Sequence, residues 1–269
     1  MFSSPTAMSP WKRAQLWRAY LAAHHELTRE LDTERIHHAA GRPAFLEGFP
    51  TRYLRTHSAA AIAADTELAD RSAEKGVALS LDHERGVYQL RMVTRDRPAL
   101  FASVAGALAG FGMNILKAEA FSNKQGQVLD TFVFSDPIRT LELNPGEDER
   151  LLDVIERVVL GKMDLDRLLS GRPHPALPSR KAAVQPRVAF DQEASSHATL
   201  IEIVAQDRPG LLYDVARTLS EANCSIDIVL IDTEAHKALD VFYVTINGGK
   251  LPTDDEAALR ESLLVALAG

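Results

Sequence analysis

Two short runs carry residue types that do chemistry together: Asp96-Arg97-Pro98-Ala99-Leu100 and Asp207-Arg208-Pro209-Gly210-Leu211. Each closes an apolar, β-branched stretch and opens a segment with helical spacing. A helix start carries unpaired backbone N–H groups and a partial positive charge, which suit a carboxylate or another small anion. Gly210 has no side chain, so a ligand can approach the backbone there. Asp96 and Asp207 add carboxylates beside those donors, and Arg97 and Arg208 either set the loop or meet an anion. The competing reading is a helix-start turn with no ligand, Pro98 and Pro209 taking the first helical position, where a missing N–H is no loss. Finding the run twice in one register weighs against that reading.

Other reactive residue types are less directed. Asp130 and Asp240 each sit in a Leu-Asp-x-Phe run; they are expected to pair across a sheet or cap a loop rather than to act as functional carboxylates. His24, His25, His37 and His38 lack the His-Glu-x-x-His spacing, and adjacent helical positions point apart, so no metal site is expected. Lys124, His236 and Lys237 are placed at hairpin tips, facing solvent. Cys224 is the only cysteine. It cannot close an internal disulfide, which fits a reducing compartment, and it reads as a small buried hydrophobe. The N-terminal helices carry no nucleophile–base pair, so no catalytic residue and no cofactor is expected.

These residues must be positioned by a chain of 269 residues, enough for about two domains. A net charge of -7 disfavours nonspecific nucleic-acid binding, which needs a Lys/Arg excess. Arg52, Arg55 and Lys181 leave room only for a local basic patch. No stretch is apolar enough to span a bilayer and no signal pattern opens the chain, so a soluble cytoplasmic protein is expected.

The runs belong to a larger repeat. Residues 87–134 and 198–244 superimpose when anchored on Asp96 and Asp207, and stay in step until the second hairpin, where the second copy is one residue shorter. Each copy reads strand (Val87–Val93, Thr199–Val204), helix (through Leu108 and Leu219), break (Gly110–Gly112, Asn223), strand (113–122, 224–233), strand (127–135, 239–246) and helix (147–169, 254–268). This β-α-β-β-α order is the split-βαβ plan, and the fold class is α+β: two ferredoxin-like modules behind a small helical N-terminal segment. The fourth strand of each module is missing. The run before each copy, VALSLDHERG or RVAFDQEASS, is predicted to fill it by a hairpin into the first strand; the alternative is that Val188–Asp191 closes the first module. The expected division is a helical segment at 1–76, modules at 77–170 and 187–269, and a Pro-rich linker at 171–186. Within the first segment, residues 1–10 are expected to lack order, 11–31 to form a helix burying Leu16, Tyr20, Ala23, Leu27 and Leu31, and 41–57 to be a turn-rich connector. Ser58 is expected to cap a helix that ends at Gly76.

The strand–Asp-Arg-Pro-Gly-Leu–helix–strand arrangement resembles the ACT domain, a small-molecule-sensing module. Residues 186–244 look like the C-terminal regulatory part of bifunctional protein-PII uridylyltransferase/uridylyl-removing enzymes. The connector FLEGFPTRYLRTHS resembles the stretch that precedes their tandem ACT pair. The resemblance covers roughly 11–269. It implies sensing of an amino acid, glutamine in that family, in the allosteric control of nitrogen metabolism, with nucleotidyltransferase and hydrolase domains or the PII protein as partners. The chain lacks the Gly-Ser with Asp-x-Asp of a nucleotidyltransferase and the His-Asp pair of a metal-dependent hydrolase. It is therefore expected to be a regulatory fragment or a stand-alone sensor, without either reaction. On the ACT pattern the ligand-binding residues are Asp96, Arg97, Pro98, Ala99 and Leu100 with Asn114 and Ile115, and Asp207, Arg208, Pro209, Gly210 and Leu211 with Ser225 and Ile226. A composite site between the Gly210 loop and the Asn114 strand would use the better half of each copy. The alternative function is a ligand-free module that mediates oligomerisation. Side-by-side packing is satisfied either within one chain or in a homodimer.

Overall fold

The computed structural model describes residues 43–49, 53–54, 57–170, 184–208, 210–234 and 237–268. The expected helix at 11–31, His24, His25, His37, His38, His236, Pro209 and most of the linker lie outside them.

The elements follow in order: α1 (Pro43–Leu46), α2 (Ala59–Lys75), β1 (Val77–Glu84), β2 (Val87–Arg95), α3 (Leu100–Gly110), β3 (Asn114–Ser122), β4 (Gln127–Ser135), α4 (Thr140–Leu143), α5 (Glu147–Val159), α6 (Leu165–Ser170), β5 (Arg187–Asp191), β6 (Thr199–Gln206), α7 (Leu211–Glu221), β7 (Ser225–Glu234), β8 (Lys237–Thr245) and, after a 3₁₀ turn at Thr253–Asp255, α8 (Glu256–Ala268). The strands form one eight-stranded sheet in the order β1-β2-β4-β3-β7-β8-β6-β5. Every pairing is antiparallel.

The vacant edge of each module is filled by its preceding strand, β1 against β2 and β5 against β6. The alternative for Val188–Asp191 is overturned, because β5 lies at the far edge, four strands from module one. The second helix of module one is broken where 147–169 was expected to run through. Gly161, at φ +69°, turns the chain after α5, and α6 starts at Leu165.

At the sheet's centre β3 meets β7. Ala118 pairs with Val229, its own counterpart in the second copy, and the flanking pairs Lys117–Leu230 and Glu119–Ile228 exchange places under the same operation. This register defines a pseudo-twofold axis between the modules. Both copies also share a bulge, after Ile115 and after Ile226.

Helices α3, α5, α7 and α8 cover one face of the sheet over a core shared by both modules. The sequence of α3, LFASVAGALAG, is apolar on nearly every side, and the helix is buried accordingly. It is flanked by α5 and α7 and overlain by α6. Gly106 and Gly110 permit that crowding: a Cβ at Gly106 would lie 2.6 Å from Leu165 Cδ2 and 2.9 Å from Tyr213 Cδ2, and one at Gly110 3.0 Å from Leu168 Cδ2. By contrast α7 buries a single stripe, Leu211, Val215, Ala216 and Leu219.

On the opposite face of module one lies α2, capped as expected: the Ser58 hydroxyl accepts from the Ala61 N–H at 3.2 Å, and Gly76 takes φ +84°. Ile62, Leu68 and Ala69 pack with Phe45, Phe49 and Tyr53 over Val93, Phe121 and Leu129. Within that layer Tyr53 donates to Asp65 Oδ2 at 2.8 Å, and Arg91 reaches Asp65 and Asp82, both at 3.0 Å. Helix α2 thus packs on the outer face of the sheet.

Candidate functional site

The described residues of the two Asp-Arg-Pro runs share the same corner. Leu100 N–H donates to Arg97 O at 3.3 Å and Leu211 N–H to Arg208 O at 3.2 Å. The third residue of each turn has positive φ, Ala99 at +57° and Gly210 at +82°. In the first copy these are the marks of a type II turn, Pro98 at its second position. The expectation that proline opens the helix is corrected: α3 begins two residues later, at Leu100, with Ala99 as its N-cap. Pro98 has the φ that the turn's second corner requires, and the third corner selects glycine. Alanine pays there for its Cβ.

The arginines point away from the turn. Arg97 Nη2 donates to Val158 O in the last turn of α5, and Arg208 Nη2 to Ala266 O in the last turn of α8, both at 2.9 Å. Arg208 also meets Asp214, in the first turn of α7, at 2.7 Å. Of the two roles expected for the arginines, the geometry fits setting the loop. A cation beside the carbonyls of a helix's last turn is favourable, and it ties each loop to its module's second helix.

Asp96 is exposed, and its N–H donates to Gly126 O at 2.9 Å, docking the first loop on the β3–β4 hairpin. Asp207 is half-buried; burial raises its carboxyl above the ordinary range, against the Arg208 N–H, which lowers it. Leu100 and Leu211 are buried in the core at the helix starts. Asn114 and Ser225 are exposed at the first positions of β3 and β7, while Ile115 and Ile226 are buried behind them.

Asp130 and Asp240 are strand residues paired across the sheet, opposite Met92 and Ile203, as expected. Both lie in the middle of the sheet, at 2% and 3% exposure, in step with core residues Phe132 and Phe242 on the helix side. Burial first, then the negative charge of Asp96, pushes the Asp130 carboxyl up to about 8. Asp130 thus sits close enough to the first loop to feel its charge, which alternation alone does not reveal.

The modules meet at the loops. Ala99 N–H donates across the interface to Ser220 Oγ at 2.9 Å, in the last turn of α7. Under the pseudo-twofold operation that relates β3 to β7, the counterpart of Ser220 is Ala109, in the matching turn of α3, and the counterpart of Ala99 is Gly210. That turn runs through Gly112 into Asn114; its partner runs through Asn223 into Ser225. Sequence reading missed Ser220. The signal for it was one serine–alanine difference among several between the copies.

Among the described residues no group of three His, Cys, Asp or Glu side chains could hold a metal ion, and no helix is long and apolar enough to cross a membrane.

Comparison with known proteins agrees with the geometry. Residues 187–268 match a family model for an ACR9-like, ACT-like domain. The bifunctional uridylyltransferase/uridylyl-removing enzyme of Gluconobacter oxydans is 38% identical over 188 residues, 68% of this chain and 20% of that protein. That of Rhodospirillum rubrum is 30% identical over 292 aligned positions, 98% of this chain and 31% of the relative. The chain thus spans less than a third of the length of these relatives. Among solved structures, aspartate kinase from Synechocystis is similar at 18% identity and a TM-score of 0.37, over 67% of this chain and 26% of that one, a likeness too distant to decide anything. With tandem βαββα modules, each completed by an edge strand, and sequence identity over most of its length, the chain is homologous to the C-terminal ACT region of the bifunctional uridylyltransferase/uridylyl-removing enzymes.

Proposed function

We propose that this ACT-domain regulatory module senses a small amino acid, glutamine, through a composite site between the Gly210 loop of one module and the Asn114 strand of the other. The modules span 77–170 and 187–269, and catalytic nucleotidyltransferase or hydrolase domains, or the PII protein, read the bound state. The observation that carries the reading is the loop at Gly210: its N–H has no hydrogen-bond partner among the described residues, and a Cβ built on it meets nothing within 4 Å. A carboxylate fits a free amide at the positive end of a helix, and Asp207 suits the ammonium of the same zwitterion. Asn114 offers an amide with both donors and an acceptor, which a side-chain amide such as glutamine's can pair in full.

A ligand of the native state stabilises it by mass action, by about 2.7 kcal/mol at a hundred times the dissociation constant, and so raises the melting temperature. Thermal-shift screening with the amino acids is expected to show glutamine stabilising the chain. Isothermal titration is expected to show weakened binding in Gly210→Val and Asn114→Ala. Unchanged affinity in both variants would rule the composite site out, and no shift with any amino acid would leave the oligomerisation module as the function.

A further inference from the structure

We infer that the two loops are not alternative seats for the same ligand: Ser220 closes the one at Ala99 with a hydroxyl of the chain itself, leaving one amino-acid site per chain, at Gly210. This rests on the sensing reading above and goes beyond it, because the repeat alone implies two sites.

The pseudo-twofold register at Ala118–Val229 makes the two loops geometric equivalents. Their surroundings differ at the atom that matters. The Ala99 N–H, which an incoming carboxylate needs, is taken by Ser220 Oγ at 2.9 Å. On the other side of the axis Ala109 stands where a hydroxyl would be required, and the Gly210 N–H has no such partner among the described residues. The second difference has the same sense. Ala99 adds a methyl at a positive-φ corner, whereas the space beside Gly210 is open. A carboxylate entering at Ala99 must break a bond that the fold already supplies. The net worth of one such bond corresponds to roughly a tenfold loss of affinity.

The asymmetry is reversible by exchange of side chains, which supplies the test. Isothermal titration with glutamine is expected to give one tight equivalent per chain for the unmodified protein, any second binding being at least about tenfold weaker. Ser220→Ala combined with Ala99→Gly is expected to give two of similar affinity. Ala109→Ser, which places the hydroxyl on the open side, is expected to weaken binding at Gly210 about tenfold. Thermal melts of each variant confirm the fold, and hydrogen exchange at the Ala99 amide, faster in Ser220→Ala, reports the bond directly. Two equivalents of equal affinity bound by the unmodified chain would overturn the inference while sparing the sensing reading. A stoichiometry of one in the double variant with unchanged affinity in Ala109→Ser would overturn it likewise. Absence of binding by every variant would overturn the sensing reading, and this inference with it.

Discussion

At the scale of single residues, Ala99 and Gly210 hold the same left-handed corner, and only one of them is a glycine. A side chain there costs about 1–2 kcal/mol, against about 0.4–1 kcal/mol that glycine loses through the greater freedom of the unfolded chain. Ala99→Gly is therefore expected to stabilise the fold by about 0.5–1 kcal/mol, and Gly210→Ala to destabilise it by a similar amount, read by urea denaturation. Asp130 makes a second prediction. Its folded carboxyl titrates near 8 against an ordinary value of 3.8. Between those values the folded state keeps a proton that the unfolded state has released. Stability therefore falls as pH rises across that window, by up to about 1.4 kcal/mol per pH unit. Below 3.8 both states are protonated and the penalty disappears. Asp130→Asn is expected to remove this slope and raise the melting temperature at neutral pH; a pH profile unchanged from the parent would show that Asp130 is ionised in the fold. The presence of Asp130 was legible from its repeated run, but its burial was not: alternation does not say which face of a strand lies beneath helices.

At the scale of elements, the glycines of α3 and the arginines of the turns govern how helices meet. Gly106→Val places carbon atoms inside the space of Leu165 and Tyr213 and is expected to cost about 1–3 kcal/mol, with α3 prised from α7. Arg97→Ala leaves the last carbonyls of α5 without their cation. A loss of about 1 kcal/mol is expected, with faster hydrogen exchange confined to the end of α5 and to α6. The strands, their order within each module, the edge strands β1 and β5 and the Ser58 and Gly76 caps were readable because each has a local signature: alternation, a cap residue, a turn residue. The break between α5 and α6 was not, since one glycine in an otherwise amphipathic run is compatible with a continuing helix. The arginine ties were equally hidden, as Arg97 and Val158 are brought together only by the finished fold.

At the scale of the whole molecule, the modules share a single core beneath one sheet. Heating is therefore expected to produce one cooperative transition, with calorimetric and van't Hoff enthalpies in agreement; two separate transitions would mean that the interface adds little to either half. The same sharing explains why the candidate site was only half readable. The repeat named both loops, but which loop is open depends on Ser220, a residue contributed by the opposite module.

The meeting of β3 with β7 has an outcome for the divided protein. A seam that maps onto itself is indifferent to whose copy lies across it. Producing the C-terminal half alone would leave it without its neighbour and put Val229 on a bare strand. That fragment is then expected to recruit a twin in place of the lost half, doubling its mass in light scattering, and charge placed at Val229 to keep it monomeric.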